Sequence, residues 1–264
     1  MREGTTALVT GSTRGLGAAT AEALAAAGCN VMLCGFGDAA AIERQRAALT
    51  EKHGVTVGYH DADLAAPAQV AALHEAAAAL SGGVDILVNN AVIRHFHTID
   101  AFAPEDWDRA IAVNLNAPFH LTRLALPGMR AKGWGRIVNI SSVLGLAARS
   151  GRADYITTKT ALIGLTRATA AETRGDGNIT CNAICPGSVL TPNTEMKIAE
   201  LAEDEGLTPE AARREYLRRR SQPGDFIDPA RIADLILFLC RDEARDITGD
   251  AIPIDSGRSA TWLE

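Results

Sequence analysis

Short apolar runs rich in β-branched residues alternate along the chain with longer segments in which apolar residues recur at helical spacing. Strands separated by helices of roughly 10 to 15 residues are typical of βαβ units and of a mostly parallel sheet. Because the runs are almost continuously apolar, we expect a sheet that helices cover on both faces. The predicted strands are residues 5–10, 30–34, 55–61, 85–89, 136–140, 179–185 and 251–254.

Helical spacing predicts helices over residues 16–27, 39–53, 68–80, 105–132, 155–173 and 229–240. These elements use the whole length, so we expect one α/β domain over residues 1–264 with a doubly wound, Rossmann-like parallel sheet. Residues 191–224 depart from the alternation, because they are charged and helical with no strand beside them. We expect this insertion to form a helical lid at the carboxyl ends of the strands, where such sheets bind ligands. A solvated amphipathic helix pair is the alternative.

Composition and charge narrow the class of function. The 264 residues are 47% apolar and 22% charged, which suits one sizeable core and is too apolar for a mainly disordered chain. With 26 basic against 32 acidic residues the net charge is −6, so we expect no nucleic-acid binding. No apolar run approaches the roughly 20 residues that span a bilayer, and the first residues lack a signal-peptide pattern. We therefore expect a cytoplasmic protein that does not enter a membrane.

Cysteine and histidine usage predicts no metal site. The five Cys have no CxxC spacing, and the six His show no ligand spacing with them. Four of the Cys lie inside apolar runs, which is typical of small buried side chains in a reducing compartment.

A glycine-rich turn follows the first predicted strand. It reads TGSTRGLG over residues 10–17 and opens an Ala-rich helix. Glycines here allow a tight strand-to-helix turn, let backbone N–H groups approach a pyrophosphate, and let the helix pack closely on the strand. The helix N-terminus then faces the phosphates with its partial positive charge. The sequence therefore predicts a dinucleotide site at this turn.

The spacing TGxxxGxG resembles that of the short-chain dehydrogenase/reductase family, and further motifs follow in the family's order over residues 5–257. One departure is Val92, which stands where the family's NNAG motif ends in glycine. We expect a small backbone adjustment there, since a positive φ would be awkward for a β-branched residue. The resemblance implies that the cofactor is bound by Gly11, Thr13, Arg14, Gly15, Leu16, Gly17, Phe36, Asp63, Leu64, Asn90, Ala91, Tyr155, Lys159, Pro186, Gly187, Val189 and Thr191.

The resemblance also implies that Tyr155, Lys159, Ser142 and Asn114 are the catalytic residues. Tyr155 and Lys159 are four apart and share a helix face. A free phenol has a pKa near 10, and one cation at about 4 Å lowers that pKa by ~3 at an effective dielectric constant of about 20. A neighbouring ammonium therefore makes a phenol useful as a general base near neutral pH. By resemblance, Lys159 also binds the nicotinamide ribose, Ser142 holds the substrate oxygen, and Asn114 positions a water that relays protons.

The end of the second predicted strand favours NAD over NADP. It reads CGFGD over residues 34–38, and no Arg or Lys follows it to pair with a 2′-phosphate. Asp38 would repel such a phosphate. Arg14 is the opposing signal, because some NADP-using relatives carry a base just before the second glycine. We expect NAD, and NADP is the less favoured cofactor.

Within the family the chain resembles bacterial NAD-dependent D-3-hydroxybutyrate dehydrogenases in its second-strand loop, in residues 182–187 and in its lid length. In the pocket, cations increase and aromatic residues disappear relative to those enzymes. An arginine fork suits a carboxylate, so we expect an anionic small-molecule substrate, either 3-hydroxybutyrate or a bulkier hydroxy acid. The predicted substrate contacts are Arg94, Ser142, Leu144, Arg152, Tyr155, Ser188 and Lys197.

Two alternatives stay open. One is a family enzyme, possibly NADP-linked, that acts on a neutral alcohol, a sugar or an aromatic or cyclic ketone; the other is a non-catalytic dinucleotide sensor. The resemblance also implies a homotetramer built through the predicted helices 105–132 and 155–173. The C-terminal segment, with Trp262, is expected at a second interface.

Overall fold

A single parallel sheet organises the computed structural model, which describes Arg2 and residues 4–260. The strand order β3-β2-β1-β4-β5-β6-β7 reverses between β1 and β4, which makes the sheet doubly wound. The predicted fold class is thereby confirmed. The strands are β1 (Thr6–Thr10), β2 (Asn30–Cys34), β3 (Val57–His60), β4 (Ile86–Asn89), β5 (Trp134–Ile140), β6 (Asn178–Pro186) and β7 (Ala251–Ile254).

Helices cover both faces of this sheet, as the continuous apolar runs predict. On one face Leu24 and Ile232 pack against strand residues such as Val9 and Val88, and on the other Leu73 and Leu121 pack against the opposite side. The helices are α1 (Gly15–Ala26), α2 (Ala39–His53), α3 (Pro67–Ala78), α4 (Pro104–Ile111), α5 (Ala117–Lys132), α6 (Ala153–Glu172), α7 (Pro192–Glu205), α8 (Pro209–Arg218) and α9 (Pro229–Cys240).

The helix predicted over residues 105–132 is interrupted. A π-helical turn, Ala112–Asn116, lies between α4 and α5, and the backbone N–H of Ala117 donates to the carbonyl of Ala112. Pro118 has no N–H to offer the carbonyl of Asn114, which removes one α-helical hydrogen bond at this point. Such single turns are frequent at functional sites. The prediction of one continuous helix was wrong at this point. Asn114 lies inside the π-helical turn that interrupts it.

Residues 191–224 are largely helical, as predicted. α7 and α8 pack on each other through a small apolar cluster that includes Ile198 and Tyr216. Their outer surface carries ion pairs, for example Arg219 with Glu205 at 2.7 Å. Within the described residues no helix is long and apolar enough to cross a membrane. Trp262 lies outside the described residues.

Candidate active site

A cavity of about 570 Å³ opens at the carboxyl ends of the strands. It is lined by the loops that follow β1, β2, β3, β4, β5 and β6, together with α6 and α7. Of the predicted site residues, Asn114 alone is not part of the lining. The lining includes Gly11, Thr13, Arg14, Gly15, Leu16, Gly17, Phe36, Asp63, Leu64, Asn90, Ala91, Arg94, Ser142, Leu144, Arg152, Tyr155, Lys159, Pro186, Gly187, Ser188, Val189, Thr191 and Lys197.

The glycine-rich turn forms one end of the cavity. A side chain at Gly17 would overlap the carbonyl oxygen of Gly11, and a Cβ at Gly11 would come within 2.9 Å of the Cα of Ala91. Gly11 also has φ +65°, which disfavours other residues. α1 begins at Gly15 on the cavity wall, so the unpaired N–H groups of its first turn can meet an anion. This backbone cradle fits the pyrophosphate of a dinucleotide.

Asn90 ties this turn to the end of β4. Its Nδ2 donates to the carbonyls of Thr10 and Gly11 at 2.9 and 3.0 Å. The hydroxyl of Thr10 in turn accepts from the backbone N–H groups of Asn90 and Ala91. Val92 follows, and among the described residues other than glycine only Ser221 and Ser256 have a positive φ. Val92 lines the cavity. Its φ is not positive, so the β-branched side chain has an ordinary backbone conformation.

Two arginines and two carboxylates lie beside the cradle. Asp38 accepts from the N–H of Ala41 at 2.8 Å and so caps α2. Arg14 and Asp38 line the same surface depression beside the exposed ring of Phe36. Asp63 is paired with Arg109 at 3.2 Å, a partner that the sequence did not point to.

Tyr155 and Lys159 lie on one face of α6, as their spacing predicts. The Nζ of Lys159 is 5.6 Å from the centre of the Tyr155 ring and donates to the carbonyl of Ile140 at 2.6 Å. Burial lowers the pKa of Lys159 to about 7, with a further contribution from the nearby charge of Arg94. Ser142 follows β5, and its Oγ accepts from the N–H of Leu144 at 3.1 Å. The three side chains line the same part of the cavity.

Asn114 lies behind the cavity wall. Its Oδ1 accepts from the N–H of Ile93, and its Nδ2 donates to the carbonyl of the same residue, at 2.9 and 2.8 Å. The amide also donates to Thr158 on α6 at 3.3 Å. Asn114 therefore joins the loop after β4 to α6 through the π-helical turn.

A second anchor holds the same loop. The carboxylate of Asp154 is fully buried and accepts from both the backbone N–H and the Nδ1 of His95 at 3.0 Å. Its other oxygen accepts from the N–H of Tyr155. The loop that carries Arg94 is thus fastened directly to the start of α6.

Cations dominate the other end of the cavity. The guanidinium of Arg152 lies between the rings of Phe96 and Tyr155, 4.1 and 4.5 Å from their centres, and only 8% of this residue is exposed. Lys197 lies 4.7 Å from the centre of the same Phe96 ring. Burial, followed by the nearby charges of Arg94 and Arg152, lowers the pKa of Lys197. The predicted group of Arg94, Arg152 and Lys197 is therefore brought together.

Sequence reasoning missed further cations on this wall. Arg149, Arg220 and Arg258 also line the cavity. Arg220 belongs to a run of three arginines on the lid. Its neighbours Arg218 and Arg219 pair with Glu215 on the surface, whereas Arg220 follows the end of α8 and faces inward. The three arginines are adjacent in sequence, and their different directions follow from the position at which α8 ends.

Comparison with known proteins agrees with this arrangement. A family model described as short chain dehydrogenase matches residues 5–202. A D-beta-hydroxybutyrate dehydrogenase of Cupriavidus necator is 44% identical over 97% of this chain and 98% of its own length, and one of Rhizobium meliloti is 42% identical with the same coverage. The crystal structure of L-sorbose reductase from Gluconobacter frateurii, complexed with NADPH and L-sorbose, has a TM-score of 0.92 at 32% identity and covers 98% of both chains.

Proposed function

The chain belongs to the short-chain dehydrogenase family, and we propose that it is an NAD-dependent oxidoreductase that interconverts a 3-hydroxy acid and the corresponding keto acid. The observation that carries this proposal is the single cavity with a backbone cradle at one end and Arg152 and Lys197 at the other. Tyr155 and Lys159 lie on its wall. The similarity to the two D-beta-hydroxybutyrate dehydrogenases supports a hydroxy acid as substrate.

In this proposal Tyr155 takes the proton from the substrate hydroxyl. Arg152 lies over its ring and Lys159 lies nearby, so two cationic side chains flank the phenol. Ser142 donates a hydrogen bond to the substrate oxygen and orients it. The nicotinamide ring, when bound, supplies the hydride acceptor. Oxidation then leaves a carbonyl on the substrate and a proton on the Tyr155 oxygen.

Lys159 has two further roles in the proposal. Its Nζ donates to the carbonyl of Ile140, and its remaining protons can bind the ribose of the cofactor. Because burial lowers its pKa to about 7, Lys159 can also pass on the proton that Tyr155 receives. Asn114 would position a water on this route, as the family resemblance implies.

The cofactor preference is argued from the end of β2. A 2′-phosphate next to Phe36 would meet the carboxylate of Asp38, which is held in place as the cap of α2. Arg14 is the one cation in that depression within the described residues. One cation in a depression that is also lined by the carboxylates of Asp38 and Glu22 gives little net attraction for two further negative charges. NAD is therefore proposed in preference to NADP.

The substrate carboxylate is proposed to bind Arg152 and Lys197, with Arg94 at the rim. The Nε of Arg152 is buried and has no hydrogen-bond partner within the described residues, so a carboxylate would satisfy it. α7 carries Lys197, and α7 and α8 together are proposed as the lid. A neutral sugar, as in the L-sorbose reductase complex, would leave these cations uncompensated.

The assay that tests the proposal follows the absorbance of the reduced dinucleotide with NAD and then NADP. The panel contains D- and L-3-hydroxybutyrate, larger hydroxy acids, and neutral alcohols and sugars of matched size. Turnover of a hydroxy acid with NAD is expected. Turnover of the neutral compounds alone would refute the acid specificity, and dinucleotide binding without any turnover would indicate a sensor.

Oligomeric state and location complete the proposal. We infer a homotetramer from the family resemblance, and the exposed rings of Phe119 on α5 and Phe238 on α9, 47% and 41% accessible, support contacts between copies. Light scattering that reports a monomer would contradict it. A reducing cytoplasm is supported by the five cysteines, which are all buried and free.

A further inference from the structure

Three arginines from distant parts of the chain converge on one wall of the cavity. Arg149 belongs to the loop after β5, Arg220 follows α8, and Arg258 follows β7. They line the same cavity as Arg152 and Lys197, which the proposed function already uses for one carboxylate. Arg220 is partly buried and lies over the ring of Tyr216, 3.3 Å from its centre. Its Nη1 donates to the carbonyl of Tyr216 at 3.1 Å.

Arg149 and Arg220 have no acidic partner among the residues that the structure describes. Among the described residues that line the cavity, the one acid is Asp63, which lies at the dinucleotide end and pairs with Arg109. Within the same described part of the chain, no carboxylate lies within 4.0 Å of the side-chain nitrogens of Arg94, Arg149, Arg152, Lys197 or Arg220. Three other lid arginines show the contrast, since Arg213, Arg218 and Arg219 pair with acids.

These cations also repel one another. Burial, the largest cause, and the charges of Arg149, Arg94 and Arg258 lower the pKa of Arg220. The pKa of Arg152 is lowered by burial and then by Arg94 and Arg149. Partly buried charges of one sign are costly unless a ligand of opposite charge compensates them. A single carboxylate at Arg152 would leave the partly buried Arg220 uncompensated, and the exposed Arg149 adds a further positive charge near it.

We propose that the substrate carries two anionic groups, one held by Arg152 and Lys197 and the second by Arg149 and Arg220. The second group can be a carboxylate or a phosphonate, since both accept from a guanidinium fork. This inference rests on the proposed hydroxy-acid oxidoreductase, whose substrate class it narrows from a monoanion to a dianion.

Binding, rather than turnover, separates this inference from the proposed function. Titration calorimetry on the NADH-loaded enzyme would compare glutarate with its monoamide, glutaramate, which has the same shape and one charge fewer; neither can be oxidised at a hydroxyl. We expect glutarate to bind at least about tenfold more tightly. A third arm, 3-phosphonopropionate, distinguishes a phosphonate from a carboxylate at the second position. Equal binding of glutarate and glutaramate would overturn the inference, even if hydroxy acids are oxidised.

Variants locate the second group. In Arg149→Gln and Arg220→Gln the preference for glutarate should fall to less than about threefold, whereas Arg218→Gln, on the outer surface of α8, should keep it. NADH binding is measured for every variant to show that each is folded. A preference that survives in both cavity variants would place the second anion elsewhere and overturn the assignment. If the wild-type protein prefers glutarate over glutaramate but oxidises no hydroxy acid, the proposed reaction alone would be refuted.

Discussion

The two ends of the cavity differ in the chemical groups that line them. The end proposed to bind the dinucleotide consists of backbone and short side chains, and Asn90 holds it together by hydrogen bonds to the carbonyls of Thr10 and Gly11. The end proposed to bind the substrate consists of long cationic side chains such as Arg152 and Arg220, which rest on aromatic rings and lack acidic partners among the described residues. Tyr155 and Lys159 lie between the two ends.

This difference explains how one family can serve many substrates. A backbone cradle recognises what all dinucleotides share, and most substitutions in it close the space that the ligand needs. Side chains on the loops after β4 and β5 and on the lid can change without disturbing the sheet. We therefore expect most substitutions in the cradle to weaken dinucleotide binding. Substitutions in the group of cations that line the other end, which we call the cationic wall, should change substrate specificity.

The sharpest test of the boundary between the two ends is Tyr155→Phe. Loss of the general base should lower kcat/KM by roughly a thousandfold, while the Kd for the dinucleotide should stay within about twofold. Steady-state kinetics and dinucleotide fluorescence measure the two quantities. Tyr59→Phe is the control, because this phenol donates to the carbonyl of Gly35 outside the reacting region. A similar loss in both variants would show that Tyr155 has no special role.

Lys159→Met separates function from stability at the same boundary. Burial lowers the pKa of Lys159 from 10.5 to about 7, so the folded state disfavours the charged form and the unfolded state does not. This group therefore destabilises the fold most below pH 7, by about 5 kcal/mol, offset in part by its hydrogen bond to Ile140. The variant should be inactive, yet should unfold several degrees higher below pH 7.

The expected gain should shrink as the pH rises from about 7 to about 10.5, because the wild-type lysine then becomes neutral in the folded state without cost. Thermal unfolding of the cofactor-free protein across this range provides the measurement. A difference in Tm that does not change with pH would contradict the burial argument.

Gly17→Ala probes the cradle. Its Cβ would overlap the carbonyl oxygen of Gly11, and such overpacking typically costs about 1–3 kcal/mol. The Kd for the dinucleotide should rise roughly ten- to hundredfold. Gly128→Ala is the matched control, because a Cβ at Gly128 meets open space. Equal Kd values in the two variants would show that the cradle is not the binding surface.

Asp38→Ser is expected to have the smallest effect. Serine can still cap α2 while removing the negative charge, so stability should change little. Relative kcat/KM for NADP over NAD should rise several-fold, as measured with both dinucleotides. An unchanged ratio would show that contacts other than Asp38 determine the cofactor preference.

The cradle and the catalytic helix could be predicted from the sequence because they depend on local spacing. Glycines at fixed positions after a strand, and a Tyr and a Lys four apart on a helix, specify their own geometry. The π-helical turn at Asn114 could not be predicted in this way, because it also depends on side-chain bonds to Ile93, which is distant along the chain.

The cationic wall was predicted only in part for the same reason. Arg94, Arg152 and Lys197 stand at positions that a family resemblance singles out. Arg149 and Arg220 carry no such signal, and the direction of Arg220 depends on where α8 ends. The run of three arginines does not indicate which of them lines the cavity, because that depends on tertiary contacts.

The central claim is direct hydride transfer between a hydroxy acid and NAD in this cavity. The most direct measurement uses the 3-hydroxy acid that the panel identifies as best, with deuterium at the hydroxyl-bearing carbon, and determines the mass of the reduced dinucleotide. The deuterium is expected to appear in the reduced dinucleotide, which is then one mass unit heavier than with unlabelled substrate. Reduced dinucleotide without deuterium would contradict the claim, as would the absence of reduction with every hydroxy acid.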